Sequence, residues 1–184
     1  MKGKQMKLEN PARLRELDPA VTLVKIGLRE GDIFCDIGAG SGIFTIAAAE
    51  LTRNRVYALE LDEGLIAIIN EKARAMNLYN VDSRKVTSED LLMEKDSVDL
   101  ALLATVLHEI ADRSAFIINA RDMLKPGGRV AVIEFHKRAT SMGPPEALRM
   151  AKDEVAEIFK HAGFVQLDGF DLGENYYCLT FFKN

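Results

Sequence analysis

Seven consecutive residues stand out for the chemistry they could do together: Asp36-Ile37-Gly38-Ala39-Gly40-Ser41-Gly42. They leave an apolar run, Ile33–Ile37, and enter a helical one. Glycine at alternate positions lets a backbone turn sharply and come close to a ligand. A G-x-G-x-x-G loop would seat a pyrophosphate on a helix N-terminus. Here the spacing is G-x-G-x-G, and Asp36 brings negative charge to where a phosphate would sit. The set suits a ligand carrying an ammonium or a sulfonium. Glu60 ends the next strand-like run, Arg55–Glu60, 24 residues after Asp36. A carboxylate there can accept both hydroxyls of a ribose and would repel a 2′-phosphate. The plain alternatives are a tight turn without a ligand and a solvated acid at a strand end.

A second group follows the fourth and fifth apolar runs. His108 and Glu109 come just after Val98–Ala104. His108 could act as a base, orient a second substrate, or only bond the local turn. Glu109 could serve the site or pair with Arg113 one helical turn on. Glu134 and His136 are two apart on Arg129–His136, so they share one strand face. In so apolar a strand they need partners or solvent, and they are candidates to line an acceptor pocket. His161 falls near a helix end and reads as surface. None of these spacings matches a strong metal motif, so no metal is expected.

The elements that must position these residues alternate. Strands are expected at Ile33–Ile37, Arg55–Glu60, Val81–Val86, Val98–Ala104, Arg129–His136, Phe164–Phe170 and Tyr176–Phe182. Helices are expected at Ile43–Arg53, from Asp62 onward, at Asp112–Leu124, and over Glu146–Ala162, with Gly163 as the stop. Leu65, Ile69, Ala73 and Met76 repeat at helical spacing. Thr87–Ser97 is too short for a full crossover helix, so only a helical turn is expected there. The short turn before Tyr176 implies an antiparallel last pair. The pattern predicts a three-layer α/β/α sandwich around a mainly parallel sheet. Ligands of such sheets bind beyond the carboxyl ends of the strands.

With these motifs in order, the chain resembles the class I S-adenosylmethionine-dependent methyltransferases from about Gly31 onward. The carriers are the loop Asp36–Gly42, Glu60, the turn Leu124-Lys125-Pro126-Gly127-Gly128 and the segment His161-Ala162-Gly163-Phe164. The small ubiquinone/menaquinone C-methyltransferase-like group is the nearest in kind. The resemblance implies a Rossmann-like seven-stranded sheet of order 3-2-1-4-5-7-6 with the seventh strand antiparallel. It implies S-adenosyl-L-methionine as cofactor, with Asp36, Gly38, Ala39, Gly40 and Gly42 around its methionine part and Glu60 on its ribose. Leu61, Ser88 and Glu89 would stand near the adenine, and Ala104 ends the fourth strand beside them. His108, Glu109, Glu134 and His136 would face the acceptor. Residues 1–30 would form a helical cap and 137–150 an acceptor-binding loop, within one methyltransferase domain over 1–184. Met142 and Met150 could line an adaptable apolar pocket. A non-catalytic cofactor-binding module and an NAD-dependent oxidoreductase remain as rival readings.

Composition fits this and excludes other classes. Of 184 residues 48% are hydrophobic and 28% charged, with 24 basic against 28 acidic residues and a net charge of −4. That is an ordinary globular balance, with no electrostatic drive toward nucleic acid or anionic lipid. No apolar run approaches the ~20 residues of a membrane span, and no secretory leader is expected. Cys35 and Cys178 both sit in apolar runs and read as buried thiols, which points to the cytoplasm. A small-molecule acceptor is expected, with no nucleic-acid or membrane partner, and a homodimer is possible.

Overall fold

The computed structural model describes residues 2–87, 89–140 and 142–184. Its strands are β1 (Phe34–Ile37), β2 (Val56–Glu60), β3 (Val81–Lys85), β4 (Val98–Ala104), β5 (Leu124–Phe135), β6 (Phe164–Leu172) and β7 (Tyr176–Lys183). They form one sheet of order β3-β2-β1-β4-β5-β7-β6. The first five are parallel, and β7 runs antiparallel to both β5 and β6. This is the expected Rossmann-like sandwich. The helices are α1 (Lys2–Leu8), α2 (Pro11–Leu17), α3 (Pro19–Lys25), α4 (Ile43–Leu51), α5 (Glu63–Ala75), α6 (Arg113–Met123) and α7 (Lys152–His161). None is long and apolar enough to cross a membrane.

Period-two alternation divides the core into two faces. Phe34, Leu100, Leu102, Ala131 and Ile133 point to the side of α3 and α4. Cys35, Ile37, Ala101, Val130 and Val132 point to the side of α6 and α7. Asp36, Glu60 and Ala104 have the parity of the first set. Glu134 and His136 have the parity of the second. This single register fact separates two groups of residues that the sequence placed near one site.

Local chemistry fixes the ends of the elements. Asn10 caps α2, accepting from the Ala12 N–H at 2.8 Å, with Pro11 at its start. Asp62 caps α5 through the N–H groups of Gly64 and Leu65. β5 starts five residues earlier than expected, because Leu124 already pairs with Val98 before the Pro126-Gly127 bend. No helix forms among the described residues of 87–97; Thr87 Oγ1 instead accepts from the N–H groups of Glu89 and Asp90.

The expected helix over Glu146–Ala162 is broken. A 3-10 turn spans Glu146–Leu148, and α7 starts only at Lys152. The cause is Arg149, which is buried. Its guanidinium donates to the carbonyls of Pro144, His136, Arg138 and Met142 and to Thr140 Oγ1, at 2.7–3.1 Å. A continuing helix would carry that side chain away from the loop it gathers. Replacing Arg149 with Ala would remove the donor shared by four part-buried carbonyls, at a cost of about 1–3 kcal/mol. Urea unfolding at neutral pH checks this; a loss under about 0.5 kcal/mol would mean the loop stands without it.

Candidate functional site

At the carboxyl ends of β1, β2 and β4 lies a cavity of about 330 Å³. Its walls include Asp36, Gly38, Ala39, Gly40, Glu60 and Ala104, with Leu61 and Leu65 on one side. α1 and α2 close it from above with Leu8 and Arg13, and Thr105, Glu109 and Ile110 complete the rim.

The glycine loop is built as its composition requires. Gly38, Gly40 and Gly42 all take positive φ, between 58° and 80°. A Cβ on Gly38 would come within 2.5 Å of Val106 Cγ2, and one on Gly42 within 2.8 Å of Ile69 Cγ1. Gly42 does not line the cavity; it starts α4 and packs beneath the loop.

Glu60 is buried, and its carboxylate ties strand to loop. Oε2 accepts from the Gly40 N–H at 2.7 Å, and Oε1 accepts from Leu61 and Asp62 at 2.9 and 3.1 Å. An ionised carboxylate has about four acceptor positions. Three are in use, which leaves room for one hydroxyl; a second requires the Gly40 bond to be shared or given up.

Asp36 is 1% exposed. Thr45 on α4 donates to its Oδ2 at 2.7 Å. Burial pushes the carboxyl up to about 7, the Thr45 bonds oppose this, and the Glu60 charge adds to it. Among the described residues no cation pairs with it. A buried acid without a cation is costly to ionise, and such sites concentrate where ligands bind.

The cap is latched at two places. Lys72 on α5 donates to Glu9 at 2.6 Å and to the Ser41 carbonyl at 2.8 Å. Burial would raise the Glu9 carboxyl, but Lys72 and Ser41 outweigh it and hold it low. Glu16 on α2 accepts from Asn175 N–H at 2.9 Å and from its side-chain amide at 2.5 Å. Neither latch had a signal in the sequence, because each joins residues far apart in the chain.

The remaining sequence candidates lie elsewhere. His108 Nδ1 is 2.7 Å from Glu134 Oε2, and Glu134 Oε1 accepts the His108 N–H at 3.2 Å. Burial works to lower the His108 pKa, yet the Glu134 carboxylate wins and the net shift is upward. His108 opens on a second cavity of about 480 Å³, walled also by Arg113, Lys137, Leu148, Arg149, Met150 and Glu154, with Glu134 buried behind it. Glu109 stands between the two spaces: it lines the first cavity, and its Oε1 is 3.9 Å from His108 Nε2. His136 packs on Tyr177 and lies 3.4 Å from Asp171, outside both cavities. Burial, with Arg138 and Lys152, lowers its pKa against the pull of Asp171. Glu89 is exposed and borders a different groove. Ser88 lies outside the described residues. Sequence reasoning missed Arg13, Thr105 and Arg149. Thr105 is a β-branched residue at φ 60°, an uncommon conformation of the kind that collects at functional sites.

Asp36 makes folding depend on pH. Its folded pKa, about 7, lies above the unfolded 3.8. Between these values the native state binds more protons, so stability falls as pH rises from about 4 to about 7. The full effect is on the order of 4 kcal/mol. Asp36→Asn should therefore exceed wild type in stability at pH 8 and lose that advantage by pH 4. Urea unfolding at both values decides; an equal difference at both would place the Asp36 charge in a solvated site.

A family model described as a methyltransferase domain matches residues 35–132. The chain is 27% identical over 119 residues to the ubiquinone/menaquinone biosynthesis C-methyltransferase of Marinomonas sp. (strain MWYL1), covering 63% of this chain and 47% of that one. It is 35% identical over 101 residues to the ribosomal protein L11 methyltransferase of Oceanobacillus iheyensis, covering 55% and 31%. The chain thus spans about half the length, or less, of these curated relatives. Among solved structures it is similar to a SAM dependent methyltransferase from Aquifex aeolicus, with a TM-score of 0.93 and 25% identity over 100% of this chain and 99% of that one.

Proposed function

The chain belongs to the class I S-adenosylmethionine-dependent methyltransferases, and from that premise we propose that it transfers the methyl group of S-adenosylmethionine to a small-molecule acceptor. The observation that carries this reading is the cavity itself: a buried acid, a glycine loop and a loop-tied carboxylate meet at the ends of β1 and β2. The residues present fit the cofactor. Asp36 answers its ammonium, and Glu60 retains an acceptor position for a ribose hydroxyl. Leu61 and Leu65 offer apolar surface to the adenine, and Glu89, which borders a different groove, is not assigned to it. Gly38, Ala39 and Gly40 let the backbone pass close to the methionine part, Gly42 starts α4 behind them, and Ala104 closes the floor.

Bound S-adenosylmethionine supplies an electrophilic methyl on a sulfonium, which leaves as a neutral thioether. No acid is needed to expel it. The protein's work is alignment and exclusion of water, and alignment of this kind can be worth roughly 7–11 kcal/mol. Leu8 and Arg13, held by the two latches, cover the cavity and serve that exclusion.

The acceptor side is assigned to the rim beyond Ala104 and to residues 137–150. Glu134 fixes the His108 ring through Nδ1, which leaves Nε2 free to take a proton or orient the acceptor. Glu109 extends that edge into the cavity. His136 supports the strand end from behind. A small acceptor is favoured because the closed cap leaves a limited space, and the overall charge is negative. The Marinomonas relative, a C-methyltransferase of quinone biosynthesis by its name, supports a similar class of acceptor. The free, buried Cys35 and Cys178 fit the cytoplasm.

Calorimetric titration with S-adenosylmethionine and S-adenosylhomocysteine, with NAD as control, tests the cofactor. Glu60→Ala should weaken both by about 10- to 150-fold, the loss of one charge-assisted hydrogen bond worth roughly 1.5–3 kcal/mol. An unchanged dissociation constant removes Glu60 from the site. With an acceptor in hand, His108→Ala should keep cofactor affinity and lower kcat about 100-fold or more. Unchanged kcat would leave His108 a structural partner of Glu134.

A further inference from the structure

The second cavity, on the α6 and α7 side of the sheet, has two kinds of wall. One is apolar, made by Ala147, Leu148, Met150 and Ile158. Leu148 is 57% exposed, an unusual state for a large apolar side chain at a cavity mouth. The other wall is cationic, made by His108, Arg113, Lys137 and Arg149. Glu154 is the one carboxylate among the described residues of the lining, and it is already taken up. Lys137 Nζ donates to it at 2.6 Å and the Ala151 N–H at 2.8 Å. Two further acids stand outside the wall. Glu134 is buried behind His108 and holds Nδ1. Glu109 lines the other cavity, its Oε1 3.9 Å from His108 Nε2 and beyond hydrogen-bond reach.

This wall therefore holds donors without acceptors. Arg113 Nε donates to the Leu107 carbonyl at 3.0 Å, which pins the guanidinium. Among the described residues its two Nη groups have no hydrogen-bond partner, and no carboxylate lies within ion-pair distance. Arg149 is buried and bonds only carbonyls and one hydroxyl, so its charge has no counter-ion either. Burial opposes the charged form of His108, but the Glu134 carboxylate outweighs it, and in that form Nε2 is a donor. Four cations then face Glu154, Glu134 and Glu109, so positive charge remains even with the acids outside the wall included. A planar guanidinium with a free fork matches two oxygens of a carboxylate or phosphate. The apolar wall opposite asks for a hydrocarbon or aromatic body. The volume of about 480 Å³ suits a small organic molecule. We propose that this cavity binds a small molecule with an apolar body and one oxyanionic group, a carboxylate or a phosphate ester, seated on the Arg113 fork beside His108 Nε2. His108 and residues 137–150 were assigned above to the acceptor, so on that reading the inference names the acceptor's class. Binding itself needs no methyl transfer.

The test is calorimetric titration without cofactor, with four probes. Benzoate and phenyl phosphate carry both features, benzamide lacks the charge, and inorganic phosphate lacks the apolar body. Benzoate or phenyl phosphate should bind at least about 10-fold tighter than benzamide, and Arg113→Gln should remove about 10-fold or more of that affinity while leaving benzamide within about twofold. The tighter of the two organic anions identifies the oxyanion. Arg113→Lys carries the same comparison if the glutamine variant does not fold. Equal binding of benzoate, phenyl phosphate and benzamide overturns the proposal, as does organic-anion binding that Arg113→Gln leaves unchanged. Inorganic phosphate binding alone overturns it in favour of a bare-anion site. S-adenosylhomocysteine affinity should be the same in Arg113→Gln and wild type; its loss would make this cavity part of the cofactor site and overturn the assignment. Wild type that fails to bind S-adenosylhomocysteine but holds benzoate through Arg113 removes the methyltransferase reading and leaves the anion site standing. In an acceptor screen, anionic candidates should turn over, with KM raised by Arg113→Gln. Turnover of neutral acceptors alone, unaffected by that variant, overturns the acceptor class.

Discussion

The carboxylate of Glu60 is the point on which the site's geometry rests. It sits at the end of β2 and collects N–H groups from two directions: Leu61 and Asp62 ahead of it, and Gly40 in the loop after β1. In the loop the Gly38 and Ala39 N–H groups bond the Leu59 carbonyl and the Gly42 N–H bonds that of Ala39, whereas the Gly40 N–H takes a side-chain acceptor. Glu60 supplies it. With Gly40 tied down, Ser41 turns its carbonyl to Lys72, and Lys72 in turn holds Glu9 between α1 and α2. One side chain thus sets the loop, the loop sets the cap, and the cap sets the cavity. The same oxygens are those a ribose would use, so cofactor binding and loop tension act on one group.

Asp36 carries the opposite economy. Its place in β1, between Ala58 on β2 and Leu102 on β4, leaves it 1% exposed at the wall of the cavity. Among the described residues only Thr45 bonds its side chain. A fold selected for stability alone would put an apolar residue there, because every other residue of β1 is one. A bound positive group would offset the cost of the acid. Arg13 presents the mirror case, a cation answered by hydroxyls alone.

Much of this was legible in the sequence, and the boundary has a physical cause. The strands and the loop Asp36–Gly42 are written in short-range terms, apolar period, glycine spacing and strand-end acids, whereas the order of the strands came only with the family resemblance. Asn10, Asp62 and Asp112 cap helices as local chemistry dictates. The break before α7 was not legible. Leu148, Ala151, Val155 and Ile158 have helical spacing, and local propensity favours one long helix. Arg149 overrides it by bonding carbonyls from His136 to Pro144, a set no periodicity reveals. Arg13, Glu16 and Lys72 were hidden for the same reason: their partners are 31 to 163 residues away. The parity of Glu134 was readable, but its consequence needed the sheet order, which puts it on the α6 and α7 side with His108.

That division explains why the segment after β4 is strained. Ala104 ends its strand on the cofactor side, while His108 must reach Glu134 on the other. The chain has four residues in which to cross the sheet's edge. Thr105 takes up the turn at φ 60° and stays there because Ile133 accepts its N–H at 2.7 Å and Arg13 bonds its hydroxyl. Val106 then fills the space that Gly38 leaves open. Glu109 comes back to the cavity rim, and His108 does not. The segment therefore touches both spaces at once. Strain of about 1–3 kcal/mol at Thr105 is the cost of one short turn that faces the cofactor cavity and the His108–Glu134 pair together. Arg13 secures this turn from α2, which ties the covering helices to the segment that separates the two cavities.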